Sequence, residues 1–235
     1  MGKNKLQRFA ENDTRPNLIQ PKFDDVFKKD HPIKGNWSEQ FFKNDKPIVL
    51  ELGCGKGEYT VGLGSMFPEK NFIGVDIKGA RLWRGAKTAH ENNMNNVGFL
   101  RTRIENITSF FAKDEVSEIW VTFPDPQLKR DRALKRLTSS VFLNAYKTFL
   151  KPQGLIHLKT DSIDLHRYTR TLVENNGLKV HQCTDNLYET LKNDPILSIK
   201  TFYEEQFLEK GFPITYICFE LSNTEPIVER KYQRT

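Results

Sequence analysis

The stretch Val49-Leu50-Glu51-Leu52-Gly53-Cys54-Gly55-Lys56-Gly57-Glu58 runs an apolar segment into a turn with glycine at every second position. An apolar run of this size, closed by a glycine cluster, reads as a buried strand that ends in a strand-to-helix turn. Glycines at such a turn let the backbone pass close to a flat, bulky ligand without interference from Cβ. A tight turn with no ligand is the alternative, but three alternate glycines behind a strand-end glutamate favour a cofactor site.

Outward from this turn, short apolar runs rich in β-branched residues alternate with stretches of helical period. Strands are expected at residues 47–52, 71–77, 97–100, 118–123, 155–159, 178–184 and 214–221. Helices are expected at 58–66, 80–92, 139–150 and 163–175, with Gly177 as a C-cap after the last. The rhythm implies an α/β, single-domain, Rossmann-like fold: an open, mostly parallel seven-stranded sheet with helices on both faces. Residues 1–35 are polar and contain Pro16, Pro21 and Pro32, so they read as an arm with at most short local structure. The expected domain covers 36–235, with a substrate-binding insertion around 185–212 between the last two strands.

The chain has 235 residues, of which 37% are apolar and 28% charged, enough for an ordinary core without a metal or disulfide. Cys54, Cys183 and Cys218 are far apart and lack Cys-x-x-Cys spacing, so neither a structural metal nor a disulfide framework is indicated. A reducing cytoplasm is the natural setting. The apolar runs are strand-sized, far below the ~20 residues that span a bilayer, so no membrane association is expected. The start of the chain lacks the apolar stretch of a secretory signal. The net charge of +6 favours a polyanionic partner only weakly.

Spacing narrows the cofactor. A dinucleotide fingerprint wants its third glycine at position 58, where Glu58 stands. A carboxylate there would repel a pyrophosphate, which disfavours a nicotinamide-dependent dehydrogenase. Glu51 suits a cationic ligand, and S-adenosylmethionine carries both an ammonium and a sulfonium. Asp76 ends the next strand, where an acid can accept hydrogen bonds from two ribose hydroxyls. A helix N-cap is its plainer reading. After the third strand, Arg103 and Ile104 are candidates for adenine contact, with Glu105 close by. A solvated turn is the alternative for any one of them.

The fourth strand ends in Pro124-Asp125-Pro126, which pins a carboxylate at the carboxyl edge of the sheet, the ligand-binding edge of such folds. Five basic residues follow within eleven: Lys129, Arg130, Arg132, Lys135 and Arg136. Charge runs are usually solvated faces. This one adjoins the expected reaction centre, which favours phosphate contacts with a nucleic acid.

VLELGCGKG (49–57), TFPDPQLKRDRALKRL (122–137), HLKTD (157–161) and TFYEEQFLEKG (201–211) occur in this order. The set resembles bacterial tRNA (guanine-N7-)-methyltransferases. The resemblance runs from about residue 45 to residue 221 and implies a class I methyltransferase fold. It further implies S-adenosylmethionine as methyl donor, tRNA as partner, and N7 of a variable-loop guanine, position 46, as acceptor. It places cofactor contacts on Glu51, Asp76, Arg103 and Asp125, beside the loop glycines Gly53 and Gly55 to which the turn itself points, and substrate contacts on Lys129, Asp161, Thr201, Phe202, Tyr203 and Glu204. Two positions depart from the family pattern: Arg103 stands where Asp or Asn is usual, and Gln127-Leu128 where Trp-Pro is common. Asp125 is the expected catalytic residue. A same-fold methyltransferase acting on a small molecule or protein, and an inactive RNA-binding relative, are the competing readings. A monomer and a homodimer are equally open.

Overall fold

The structure is a computed structural model that describes residues 3–192, 194–221 and 225–229. The chain opens with α1 (Lys3–Asp13), β1 (Leu18–Ile19) and α2 (Phe23–Val26). The central alternation follows as β2 (Ile48–Leu52), α3 (Glu58–Met66), β3 (Asn71–Asp76), α4 (Gly79–Glu91), β4 (Val97–Arg101) and β5 (Val116–Thr122). The remainder is α5 (Ser140–Tyr146), β6 (Leu150–Thr160), α6 (Ile163–Asn175), β7 (Val180–Thr184), α7 (Leu187–Thr190), α8 (Phe202–Glu209) and β8 (Thr215–Glu220).

The strands form one sheet in the order β1-β4-β3-β2-β5-β6-β8-β7. Pairing is parallel from β1 through β6, and β8 is antiparallel to both β6 and β7. The order reverses at β2, whose neighbours are β3 on one side and β5 on the other. That reversal opens a crevice at the carboxyl ends of the strands. Alternating side chains of the central strands feed two core layers. Leu50, Leu52 and Val121 pack with Phe142 of α5 and Leu165 of α6, while Val49 and Trp120 pack with Tyr59 of α3 and Leu82 of α4.

The structure corrects three expectations. Among the described residues the sheet has eight strands rather than seven, because Leu18 and Ile19 pair with Phe99 and Leu100 at the β4 edge. The segment read as a polar arm is docked: Asn12 donates to the Gly79 carbonyl, Asn17 to that of Ala86, and the Trp83 indole donates to Glu11. Its polar residues thus make tertiary hydrogen bonds. The helix expected over 139–150 stops at Tyr146, because the Val116 N–H bonds to the Phe149 carbonyl and Leu150 already pairs with Val116 in the sheet.

Two buried charged groups hold the functional edge together. Glu51 on β2 is only 2% exposed. Its carboxylate accepts from the Thr60 N–H at 2.8 Å, from the Thr60 hydroxyl and from the Thr122 hydroxyl, joining β2, α3 and β5. Burial pushes the Glu51 carboxyl up to about 7, against the lowering effect of these bonds. On β6, Lys159 is fully buried and donates to the carbonyls of Leu197 and Ile199 and to Glu204, itself fully buried. Glu204 also accepts from the Tyr188 hydroxyl at 2.6 Å. This cluster ties α7, α8 and the chain between them to the sheet.

Two outcomes follow. Because the folded pKa of Glu51 lies above its ordinary value of 4.5, the folded state holds the proton more tightly. Stability from this group is complete below pH 4.5 and is lost as pH rises through about 7, a change of about 3 kcal/mol. Glu51→Gln keeps an acceptor for Thr60 and gains a donor for Thr122, so urea melts across this window show a flatter pH dependence than the wild type. Lys159→Met strands a buried carboxylate and lowers unfolding stability by about 3–5 kcal/mol, whereas Lys159→Met/Glu204→Gln recovers most of the loss in the same denaturant titration.

Candidate functional site: a cleft at the strand-order reversal

The turn after β2 is built by hydrogen bonds to the end of β3. The N–H groups of Gly53 and Cys54 both donate to the Val75 carbonyl, at 2.8 and 3.1 Å. Gly55 N–H donates to one Asp76 oxygen at 3.0 Å, and Lys78 N–H to the other at 2.7 Å. Each oxygen keeps a lone pair for a further donor. Gly53 and Gly55 both have positive φ, 79° and 58°. A Cβ on Gly55 would meet nothing within 4 Å, so this face of the loop is open, whereas one on Gly57 would strike Phe99 at 2.6 Å. The third glycine therefore serves packing against β4.

Beside this loop lies a cleft of about 380 Å³. Gly53, Asp76, Arg103, Ile104 and Glu105 line it, together with Ile77, Thr102, Lys135, Leu137 and Phe142. Its size is that of a small-ligand site. Asp76 offers acceptors for vicinal hydroxyls, and Ile77, Ile104, Leu137 and Phe142 offer apolar surface for a flat ring. These donors, acceptors and the open glycine face fit a nucleoside cofactor such as S-adenosylmethionine.

The structure brings five expected cofactor residues to one cleft and leaves three outside it. Gly55 supports the cleft by fixing Asp76. Glu51 is buried, its carboxylate accepting from Thr60 and Thr122, and it does not line the cleft. Asp125 stands on the exposed loop after β5 and does not line the cleft. Thr102, Leu137 and Phe142 were missed. Their only sequence signal is position: Thr102 directly precedes the flagged Arg103, and the other two follow the basic run.

On the acceptor side, Phe123 and Gln127 both have φ of 46°, so the Pro124-Asp125-Pro126 loop turns sharply twice. Asp125 accepts from the Gln127 N–H at 3.0 Å and is exposed. Arg136 donates to the carbonyls of Pro126 and Gln127, and its guanidinium lies 4.2 Å from the Tyr168 ring centre. It braces the loop from behind. Lys129 is exposed at the start of the helical turn Arg130–Lys135. Asp161 directly follows β6, the neighbour of β5, and partial burial raises its carboxyl above the ordinary value.

The 201–204 segment splits. Phe202 and Tyr203 are 43% and 36% exposed. Thr201 is buried and caps α8, its hydroxyl accepting from the Glu204 N–H. Glu204 reaches back to the Thr201 N–H and pairs with Lys159. Thr201 and Glu204 thus anchor the insertion, while Phe202 and Tyr203 beside them reach the surface. Among the described residues no group of three or more His, Cys, Asp or Glu could hold a metal ion, and no helix is long and apolar enough to cross a membrane.

Comparison with known proteins bears on the assignment. A family described as "Putative methyltransferase" matches residues 45–217. A Bacteroides fragilis protein named tRNA (guanine-N(7)-)-methyltransferase is 52% identical over 100% of this chain and 96% of its own length. One of the same name from Christiangramia forsetii is 54% identical over 93% of this chain and 98% of its own. Among solved structures, the 16S rRNA methyltransferase KamB superposes with a TM-score of 0.62 at 15% identity, covering 84% of this chain and 98% of that one. Together with the glycine turn, the Asp76 cleft and the motif order, these matches establish that the chain belongs to the tRNA (guanine-N(7)-)-methyltransferase family.

Proposed function

We propose that this chain transfers a methyl group from S-adenosylmethionine to N7 of a guanine in the tRNA variable loop, at position 46, in the cytoplasm where tRNA matures. One observation carries the reading. The lining of the cleft includes Lys135 and Leu137, the latter beside Gly53, and the segment that ends there begins at Asp125 and Lys129. A single stretch of chain thus borders the nucleoside cleft and presents the carboxylate and cations of the acceptor side.

Bound in the cleft, S-adenosylmethionine supplies a methyl carbon on a positively charged sulfur. Guanine N7 carries an in-plane lone pair and no proton, so no residue need act as general base. Asp76 receives the ribose hydroxyls, and the apolar residues of the cleft hold the adenine. The chain's contribution to rate is alignment, which can supply several kcal/mol. Transfer of that methyl group to N7, with the electron pair of its bond left on sulfur, would pass the positive charge to the guanine. Asp125, fixed between two prolines, stabilises that charge. Asp161 accepts from the guanine N1–H and N2–H, donors that adenine does not offer in that arrangement. Lys129, Arg130 and Arg132 hold phosphates and offset extraction of the base, which costs roughly a few kcal/mol. Phe202 and Tyr203 border the substrate from the insertion.

Asp125→Asn lowers turnover on saturating tRNA by roughly 10²-fold or more, since it removes charge and keeps shape. Turnover near that of the wild type would remove the charge-stabilising role. Incubation with labelled S-adenosylmethionine and unmodified tRNA, followed by chemical cleavage at N7-methylguanosine, yields a single cut at the variable-loop guanine. Label without that cut, or none at all, defeats the assignment.

A further inference from the structure

We propose that the groove between α3 and α4, extended by Arg8 of α1 and by Phe202 and Tyr203 of α8, is a second track for the phosphate backbone of the tRNA. It lies on the opposite face of the sheet from the wall formed by Leu137 and Phe142. The inference rests on the substrate reading above and adds to it a binding surface apart from the run after Asp125.

The groove encloses about 800 Å³, and Arg8, Lys56, Arg81 and Arg84 line it around Trp83, with Glu58 as the acid among them. Lys56 is paired only loosely with Glu58, at 3.9 Å. None of the ion pairs among the described residues engages Arg8, Arg81 or Arg84. Glu11, one turn along α1 from Arg8, has its carboxylate engaged elsewhere: it accepts from the Trp83 indole and pairs with Arg15 at 3.5 Å, and makes no ion pair with Arg8. Three cations are thus left without a carboxylate on one surface.

These cations are ordered against aromatic rings. The Arg8 guanidinium lies 4.7 Å from the Trp83 ring centre, the Lys56 ammonium 3.6 Å from that of Phe202, and the Arg81 guanidinium 5.7 Å from that of Tyr203. Rings in such contacts attract the cation and restrict its side chain, while N–H groups remain free for phosphate oxygens. Cations interleaved with exposed aromatic faces are the composition of nucleic-acid grooves, where charge follows the backbone and rings accept unstacked bases. Lys56 sits in the glycine turn itself, so the track begins beside the cofactor cleft and runs outward to the docked first helix. A tRNA held there and on the Arg130–Lys135 turn is gripped on both flanks of the crevice.

The test measures tRNA affinity across roughly 50–300 mM salt for the wild type and for Arg81→Gln/Arg84→Gln. Loss of two phosphate contacts makes the slope of log affinity against log salt shallower by about 1.5, and weakens binding roughly tenfold at the low end. Arg81→Lys/Arg84→Lys, which keeps the charge, retains most of the slope. Thermal melting and S-adenosylmethionine affinity by calorimetry stay at wild-type values. If the double variant melts early, Arg8→Gln, on a separate helix, reports instead through a slope change of about 0.8. Wild-type slope and affinity in a folded variant, beside normal tRNA binding by the parent, overturn the second track alone. A parent protein that binds no tRNA overturns the substrate reading and the track with it.

Discussion

A carboxylate buried beneath a glycine turn is the constraint on which this structure depends. Glu51 joins the strand before the turn, the helix after it and the strand on the far side of the sheet's reversal through the Thr60 and Thr122 groups. Parallel strands meeting at such a reversal have no hairpin to fix their ends. Here three elements share one acceptor group, and the turn above them takes a defined path. Asp76 then fixes the turn from its other side through Gly55. The cleft lies beside these two carboxylates, Glu51 turned into the fold and Asp76 lining the open space.

Much of the fold was legible because its signals are local. The helices over 58–66 and 163–175 have the expected bounds, one opened by Gly57 in a left-handed conformation and the other by Ser162, whose hydroxyl accepts from the Leu165 N–H. The central strands are buried throughout and read as near-continuous apolar runs, broken chiefly by Glu51 and by Asn71 and Asp76 at the strand ends, as strands covered on both faces do. What escaped depends on distant partners. The early end of α5 is imposed by a hydrogen bond from Val116, and the docking of the first helix by two asparagines whose acceptors lie on α4. No window of sequence contains both members of such a pair.

The same division runs through the site. Asp76 was legible because a strand-end acid after a glycine turn has few other places to point. Glu51 was legible as a position, but the direction of its carboxylate depends on two hydroxyls 9 and 71 residues away. Glu204 shows the converse. The Thr-x-x-Glu spacing from Thr201 is the local signature of a helix start, yet its second partner is a lysine inside an apolar strand, 45 residues earlier. Acids thus need sorting by what they face, since the same residue type bonds inward at one strand end and lines an open cleft at the next.

The two-residue strand Leu18–Ile19 has a consequence for the molecule in solution. It lies on β4, which would otherwise be the last strand of the parallel sheet and present a row of unpaired backbone groups. An open edge of that kind is a template for strand addition by another chain. By pairing with Phe99 and Leu100, Leu18 and Ile19 cover the middle of that edge. The new edge is only two residues long and is followed by Pro21, which has no N–H to offer. A segment whose composition is that of a loose tail thereby blunts one border of the sheet.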